Sequence, residues 1–108
     1  MLFRSHQLDE SMDKFDLIIS TEMLEHDPHW KESIRKCIAL LNVGGAFLMT
    51  CATTGRPIHG IDTFSASGSY YKNIEKDEFL AECVGMRHLK AIVSYPHCDL
   101  YYFGVKNA

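Results

Sequence analysis

The stretch from Phe15 to Ala52 decides the fold. It reads FDLIIS over 15–20, TEMLEH over 21–26, an amphipathic run from Trp30 to Leu41, and GGAFLMTCA over 44–52. Two short apolar runs flank a segment of helical period, which is the pattern of a strand, a helix and a second strand. The connection between them has the length of a right-handed crossover. We therefore expect 15–20 and 46–52 to be neighbouring strands that run in parallel.

The segment between these strands carries the signals of an amphipathic helix. Asp27 can cap the first free amides, and Pro28 is tolerated at the first helical position. Apolar side chains recur at helical spacing from Trp30 to Leu41. We expect this helix to start at Asp27 and to end before Gly44, where glycine permits a left-handed turn. Because the first strand is apolar at both parities, we also expect helices on both sides of the sheet.

The last third of the chain predicts a short helix and a hairpin. Over 76–84 one helical face carries Phe79, Leu80, Cys83 and Val84, and Gly85 follows as a C-terminal cap. Residues 89–95 and 100–105 are rich in β-branched and aromatic side chains, which predicts two antiparallel strands joined at 96–99. Residues 100–105 are apolar at both parities, so this last strand should lie inside the sheet. The predicted α/β order is strand, helix, strand, helix, strand, strand.

Composition limits the function classes. A chain of 108 residues with 46% hydrophobic residues suits one domain over 1–108, with 1–14 as an N-terminal arm. A net charge of -3 without a basic block argues against a nucleic-acid partner. No apolar run has the length of a membrane span, and no signal-peptide pattern is present, so we expect a cytoplasmic protein. The four cysteines match no zinc or redox spacing and predict small buried side chains.

Two polar groups follow the predicted strands. Ser20, Thr21 and Glu22 leave the carboxyl end of the first strand, where open α/β sheets bind ligands. Glu22, Glu25 and His26 have the spacing of one helical face, so they are candidates for a divalent metal site or for a structural cap. Pro28 interrupts the helical register that would bring His29 to the same face. A metal is therefore the less favoured alternative.

The segment 53–73 predicts a long loop, and long loops in compact domains often bind ligands. It contains or borders a guanidinium, an imidazole and two phenols, which suit a polar, anionic or sugar-like molecule. These candidate substrate-binding residues are Arg56, His59, Tyr70 and Tyr71.

The motifs together resemble the second half of a class I S-adenosylmethionine-dependent methyltransferase. The likeness rests on FDLIIS, on EMLEH over 22–26, and on LLNVGG over 40–45, and it extends to Val105. It is strongest to the small-molecule group that includes the ubiquinone-pathway O-methyltransferases, although Asn42 and Val43 replace the usual Lys-Pro. The resemblance implies a partial Rossmann-like sheet in which only the last strand is antiparallel.

The resemblance also implies roles for residues. Ser20, Thr21 and Glu22 would line the methionine end of S-adenosylmethionine, and His26, with Glu25, would serve as general base toward a small-molecule acceptor. The EMLEH pattern also resembles the metal-binding motif of plant small-RNA 2′-O-methyltransferases. That likeness keeps the metal alternative open.

One departure from the family changes the expectation. The family's glycine-rich cofactor turn needs residues without side chains, whereas the first glycine of this sequence is Gly44. We therefore expect a half-domain, which is either an incomplete methyltransferase or a non-catalytic oligomerisation or interaction module. The strand at 15–20 would expose its outer edge, and such edges pair with other chains. We accordingly expect a homo-oligomer formed through this strand.

Overall fold

The computed structural model describes residues 14–57 and 70–107. The four strands form one sheet in the order β1, β2, β4, β3. The elements in chain order are β1 Phe15–Thr21, a single 3-10 turn at Leu24–His26, α1 Trp30–Leu40, β2 Leu41–Ala52, α2 Lys76–Glu82, β3 Met86–Ser94 and β4 Asp99–Lys106. Apart from the added 3-10 turn, this is the order that the sequence predicts.

Strands β1 and β2 pair in parallel, as predicted, with Ile18 opposite Phe47. The register shifts between Phe15, which lies opposite Leu41, and Leu17, which lies opposite Ala46. β2 is longer than predicted and begins directly after α1. Gly44 lies within this shift at a φ of +83°, a left-handed conformation that glycine adopts without strain. The glycine pair therefore acts inside the strand and not as a helix cap.

The helix start was predicted two residues too early, with Asp27 as the N-cap and Pro28 as the first helical residue. Helix α1 begins at Trp30, and its N-cap residue is His29. The Asp27 carboxylate still satisfies nearby donors, since it accepts a 2.8 Å hydrogen bond from the His29 amide and a 2.6 Å hydrogen bond from the Ser33 hydroxyl. Asp27 thus stabilises the turn before the helix, as Asp often does in such turns.

Both described helices pack on the same face of the sheet, so the expectation of helices on both sides is not met by the described residues. Arg35 of α1 donates a 2.8 Å hydrogen bond to Glu82, the last residue of α2. Their apolar sides share one core with the inner face of the sheet. That core contains Trp30, Ile34, Cys37, Ile38, Phe47, Met49, Cys51, Phe79, Cys83, Leu100 and Tyr102.

The opposite face of the sheet is apolar and open in the described part of the chain. Leu17 and Ile19 of β1 are 53% and 55% exposed. Leu48 of β2, Ile92 of β3 and Tyr101 of β4 are also exposed on this face. The alternation of buried and exposed side chains is typical of a sheet with one covered side, although the apolar composition suits a sheet covered on both.

Helix α2 ends at Glu82, two residues earlier than the sequence predicts. Phe79 is fully buried and Cys83 is buried at the C-cap, but Val84 is 80% exposed, so its predicted place on the buried face is wrong. The helix stops because Gly85 takes a φ of +83° and turns the chain into β3. Glu75 and Glu78 form a capping box at the other end.

Strand β4 lies between β2 and β3 and is antiparallel to both, which confirms its predicted internal position. The Tyr102 ring fills the centre of the core, with its ring centroid 5.0 Å from that of Phe79 and its hydroxyl 2.8 Å from Nδ1 of His88. A side chain at Gly104 would collide with this ring. Glycine at position 104 therefore permits the close packing of Tyr102.

The cysteines are free thiols, and Cys37, Cys51 and Cys83 are buried as predicted. Cys98 is partly exposed in the β3–β4 turn. Within 14–57 and 70–107, no helix has the length and apolar character needed to cross a membrane.

Candidate functional site at the carboxyl edge of the sheet

The polar residues of interest lie where β1 and β2 end. β1 ends at Thr21, and β2 ends at Ala52, directly opposite Asp99 at the start of β4. The chain returns to this edge after the long loop, because the Lys72 amide donates to the Glu25 carbonyl at 2.9 Å and the Ile74 amide donates to the Ala52 carbonyl at 3.0 Å. Four segments therefore converge on one edge, which is where ligands bind in open α/β sheets.

The structure brings most of the predicted site residues to this edge. Glu22, Glu25 and His26 follow β1, and Arg56 and Tyr71 approach from the two described ends of the long loop. Tyr70 takes part through its carbonyl, which lies 3.3 Å from Nδ1 of His26. His59 lies outside the described residues.

Ser20 and Thr21 occupy opposite faces at the end of β1. Ser20 is 5% exposed, and its hydroxyl is buried on the core side with no hydrogen-bond partner among the described residues. Thr21 is exposed. Only Thr21 and Glu22 of this predicted cofactor group therefore offer accessible side chains.

Glu22 turns the chain away from β1. Its φ of +52° lies in the left-handed region, which is uncommon for a residue with a long side chain. Its amide is held by a 2.8 Å hydrogen bond to the Thr50 carbonyl. The turn sends the Glu22 carboxyl toward those of Glu25 and Asp99, with which it hydrogen-bonds when protonated.

Glu25 is the least expected feature of the site. It is fully buried, and neither carboxylate oxygen has a hydrogen-bond partner among the described residues when its neighbours are ionised. Nε2 of His26 lies 4.0 Å from Oε1 of Glu25, which is too long for a hydrogen bond. A buried carboxylate without donors is costly, and such groups often mark functional sites.

The three carboxyls change the pKa of their neighbours. Desolvation by burial raises the pKa of Glu22 to about 7, and hydrogen bonding to Glu25 and the negative charges of Asp99 and Glu25 act in the same direction. The pKa of the Cys51 thiol beneath them is raised, first by burial and then by the charges of Glu25, Glu22 and Asp99. The site therefore concentrates negative charge in partly dry surroundings.

Arg56, at the start of the long loop, is the positively charged residue beside these carboxyls, and it is already paired with one of them. Its guanidinium donates to the Asp99 carboxylate. The backbone of Arg56 is fixed as well, because the side-chain amide of Asn73 donates to the Arg56 carbonyl at 3.0 Å, and the Tyr71 hydroxyl donates to Asn73. Arg56 and Asp99 thus form one neutral pair.

His26 is oriented by its neighbours. A carbonyl can only accept, so the contact with Tyr70 places the proton of a neutral His26 on Nδ1. The Tyr71 ring packs edge-on against the imidazole at a centroid distance of 5.4 Å. Nε2 is then the basic nitrogen, and it faces the Glu25 side.

The described residues give no support to the predicted alternative of a divalent metal site at Glu22, Glu25 and His26. Among those residues, no group of three or more His, Cys, Asp or Glu side chains is placed so as to hold a metal ion. His29 lies at the N-cap of α1, where its amide binds Asp27.

Sequence reasoning missed Asp99 and Asn73 as site residues. Asp99 was expected only in the hairpin connection. A strand that runs antiparallel to its neighbour starts at the edge where that neighbour ends, so the order of strands could have placed Asp99 of β4 beside Ala52 of β2. No sequence pattern pointed to Asn73, because its contact with the Arg56 carbonyl forms only where the chain returns to the sheet edge after the long loop.

Comparison with solved structures identifies the fold. An S-adenosylmethionine-dependent methyltransferase from Clostridium acetobutylicum matches with a TM-score of 0.70 at 12% identity, over 100% of this chain and 64% of its own. The Burkholderia thailandensis 1,6-didemethyltoxoflavin-N1-methyltransferase, with bound 1,6-didemethyltoxoflavin and S-adenosylhomocysteine, matches with a TM-score of 0.66 at 16% identity, over 96% and 48%. The chain has part of the methyltransferase fold.

A third similar structure is a Haloferax volcanii methyltransferase in complex with the activator Trm112. It matches with a TM-score of 0.68 at 12% identity, over 94% of this chain and 59% of its own. The chain thus spans between about half and two thirds of the length of these three proteins. No family model and no curated relative matches the sequence.

The raised pKa of Glu22 predicts a pH dependence of stability. The folded state holds this proton more tightly than the unfolded state, so the free energy of unfolding should fall as pH rises from about 4.5 to about 7. Glu22→Gln is neutral throughout and should show a smaller fall in Tm between pH 4.5 and pH 8. Thermal unfolding followed by circular dichroism at both pH values measures this fall in Tm.

The control is Glu32→Gln, an exposed substitution on α1 away from the site. It should keep the pH dependence of the wild type. An unchanged pH dependence in Glu22→Gln would show that the three carboxyls are not close together.

Proposed function

We propose that this chain is an S-adenosylmethionine-dependent methyltransferase-like protein that acts on a small-molecule or sugar-like acceptor in the cytoplasm. The observation that carries the proposal is the cluster of polar residues at the carboxyl edge of a sheet with part of the methyltransferase fold. Similar solved structures are those of methyltransferases, and one of them contains bound S-adenosylhomocysteine. The cofactor would supply the methyl group.

The proposed cofactor contacts are Thr21 and Glu22, because the hydroxyl of Ser20, the third residue of the predicted group, is buried on the core side. Thr21 and Glu22 are exposed at the end of β1, so they can line one end of a bound nucleotide. The first glycine of the sequence lies after α1, and the described residues contain no glycine-rich turn at this edge. The residues present therefore fit one end of the cofactor, and tight binding requires further contacts.

His26 is the proposed general base, and Glu25 is proposed to assist it. The Tyr70 carbonyl holds the proton on Nδ1, so Nε2 can accept a proton from an acceptor. The Glu25 carboxylate on the same side would stabilise the imidazolium that forms. Substrate binding is proposed for Arg56, His59, Tyr70 and Tyr71.

A second candidate function is a non-catalytic oligomerisation or interaction module derived from this fold. The observation that favours it is β1, which has one sheet neighbour among the described strands and exposes Leu17 and Ile19. An apolar edge strand whose one charged side chain, Asp16, lies near its start invites pairing with another chain. A homo-oligomer formed through residues 15–20 would cover it.

Cofactor binding separates the two functions. We expect isothermal titration calorimetry with S-adenosylhomocysteine to give a micromolar Kd for the full chain, and Glu22→Lys to weaken it at least tenfold by closing the end of β1. Glu32→Lys, with the same charge change on α1, should bind like the wild type. Absence of heat with the wild type would reject the enzyme and favour the module.

Self-association tests the edge strand. We expect sedimentation velocity at micromolar concentration to show a dimer or larger species, and Ile19→Lys to shift the chain to monomer, because a lysine on an edge strand opposes pairing. Val84→Lys, at an exposed valine beyond α2, is the control and should leave the assembly intact. A stable wild-type monomer would contradict the proposed homo-oligomer.

A further inference from the structure

We propose that Asn73 is a positioning residue for His26. Its side-chain amide holds the Tyr71 ring against the imidazole, which keeps the proton of neutral His26 on Nδ1 and leaves Nε2 as the basic nitrogen. This inference rests on the proposed function, in which His26 is the general base. It adds a residue that acts on that base through Tyr71.

The imidazole of His26 needs support from outside its own segment. Its side chain is 31% exposed, and the 3-10 turn that carries it ends at His26 itself. The contact between Nδ1 and the Tyr70 carbonyl is 3.3 Å long, which is at the weak end of the range for an N–H···O hydrogen bond. A partly exposed ring with one long hydrogen bond requires a second contact to keep one orientation.

Tyr71 provides that second contact. Its ring packs edge-on against the imidazole at a centroid distance of 5.4 Å, in one of the arrangements that aromatic rings prefer. The segment that carries Tyr71 lies beside His26, because the Lys72 amide donates to the Glu25 carbonyl at 2.9 Å. This backbone hydrogen bond places the segment, whereas the direction of the Tyr71 ring depends on side-chain contacts.

The Asn73 side chain connects Tyr71 to a fixed part of the site. Its oxygen accepts a hydrogen bond from the Tyr71 hydroxyl, and its nitrogen donates to the Arg56 carbonyl at 3.0 Å. Arg56 is itself held, because its guanidinium donates to the Asp99 carboxylate. An amide carries a donor and an acceptor on one planar group, so Asn73 can hold Tyr71 while Arg56 holds Asn73.

A purely structural role for Asn73 predicts a different result. In that case the amide would only join the two described ends of the long loop, and its loss would lower Tm without changing the imidazole of His26. Observation of His26 itself therefore separates positioning from structural support.

Nuclear magnetic resonance of the full chain with ¹⁵N-labelled histidine tests the proposal. At pH 8 an ordinary histidine is neutral, and the nitrogen shifts report which nitrogen carries the proton. We expect the His26 proton mainly on Nδ1 in the wild type. Asn73→Ala should lower the Nδ1–H population at least twofold and remove the Overhauser contact between the Tyr71 and His26 rings. His26→Gln assigns the signals.

Two further variants identify the route through Tyr71. Tyr71→Phe keeps the ring but removes the hydroxyl, so it should have the same effect as Asn73→Ala. The double variant should change no more than either single variant, because both substitutions remove the same hydrogen bond. Asn73→Asp keeps an acceptor for the Tyr71 hydroxyl and should stay closer to the wild type than Asn73→Ala.

Matched controls lie away from this edge. Asn42→Ala removes another hydrogen-bonded amide, which donates to Asp16 near the start of β1. Tyr95→Phe removes the hydroxyl of a tyrosine that is 73% exposed. Both controls should leave the His26 signals unchanged, and circular dichroism confirms that every variant is folded.

Three results would overturn the positioning role. The first is a wild-type His26 with its proton on Nε2. The second is an unchanged tautomer in folded Asn73→Ala and Tyr71→Phe, and a lower Tm in those variants would then assign Asn73 a structural role. The third is additive effects in the double variant, which would show that Asn73 does not act through Tyr71.

The inference and the proposed function can fail separately. Binding of S-adenosylhomocysteine by the wild type, with unchanged His26 signals in Asn73→Ala, would reject the positioning role and keep the methyltransferase-like function. A changed tautomer in Asn73→Ala, in a chain that does not bind S-adenosylhomocysteine, would keep the effect of Asn73 on His26 and reject its part in methyl transfer.

Discussion

The parallel pairing of β1 with β2 is the constraint on which the rest of the structure depends. A parallel pair needs a crossover, and α1 supplies it by packing its apolar side on the sheet. The pairing brings the ends of both strands to one edge, with Thr21 opposite Thr50. The polar residues that follow β1 and β2 lie close together because those two ends coincide.

Strand β4 adds the second half of the site. It runs against β2, so its first residue, Asp99, stands beside the last residue of β2. This places an acid beside the two that follow β1. Clustering three carboxyls costs stability through desolvation and like-charge repulsion. A fold that retains such a cluster, with Glu25 wholly buried, has a feature that packing alone does not require.

The opposite face of the sheet is left uncovered by the described residues. The described helices both lie on one face, and the apolar side chains of the other face, such as Leu17 and Ile19, remain exposed. The similar solved structures are longer than this chain, which spans 64%, 48% and 59% of the three described. The exposed face and the edge of β1 are consistent with a further layer of polypeptide.

The sequence predicted most of the architecture because its signals are local. Alternating apolar runs identified the strands, and helical spacing identified both helices, although the start of α1 and the end of α2 were misplaced. The single covered face was missed because apolar residues at both parities in β1 suggested cover on both sides.

The site was predictable only in part. The residues after β1 follow from the rule that ligands bind at strand ends. The pairing of Arg56 with Asp99 could not be foreseen, because it joins the long loop to the start of β4 across 43 positions of sequence. The buried state of Glu25 also depends on tertiary packing, which no spacing of residues reveals.

The most direct test of this account is the contact between β1 and β2 in solution. Nuclear Overhauser spectra of the labelled chain should show backbone contacts that advance together along both strands, from Leu17 with Ala46 to Thr21 with Thr50. Contacts that advance in opposite directions, or none between these strands, would contradict the parallel sheet and the site built at its end.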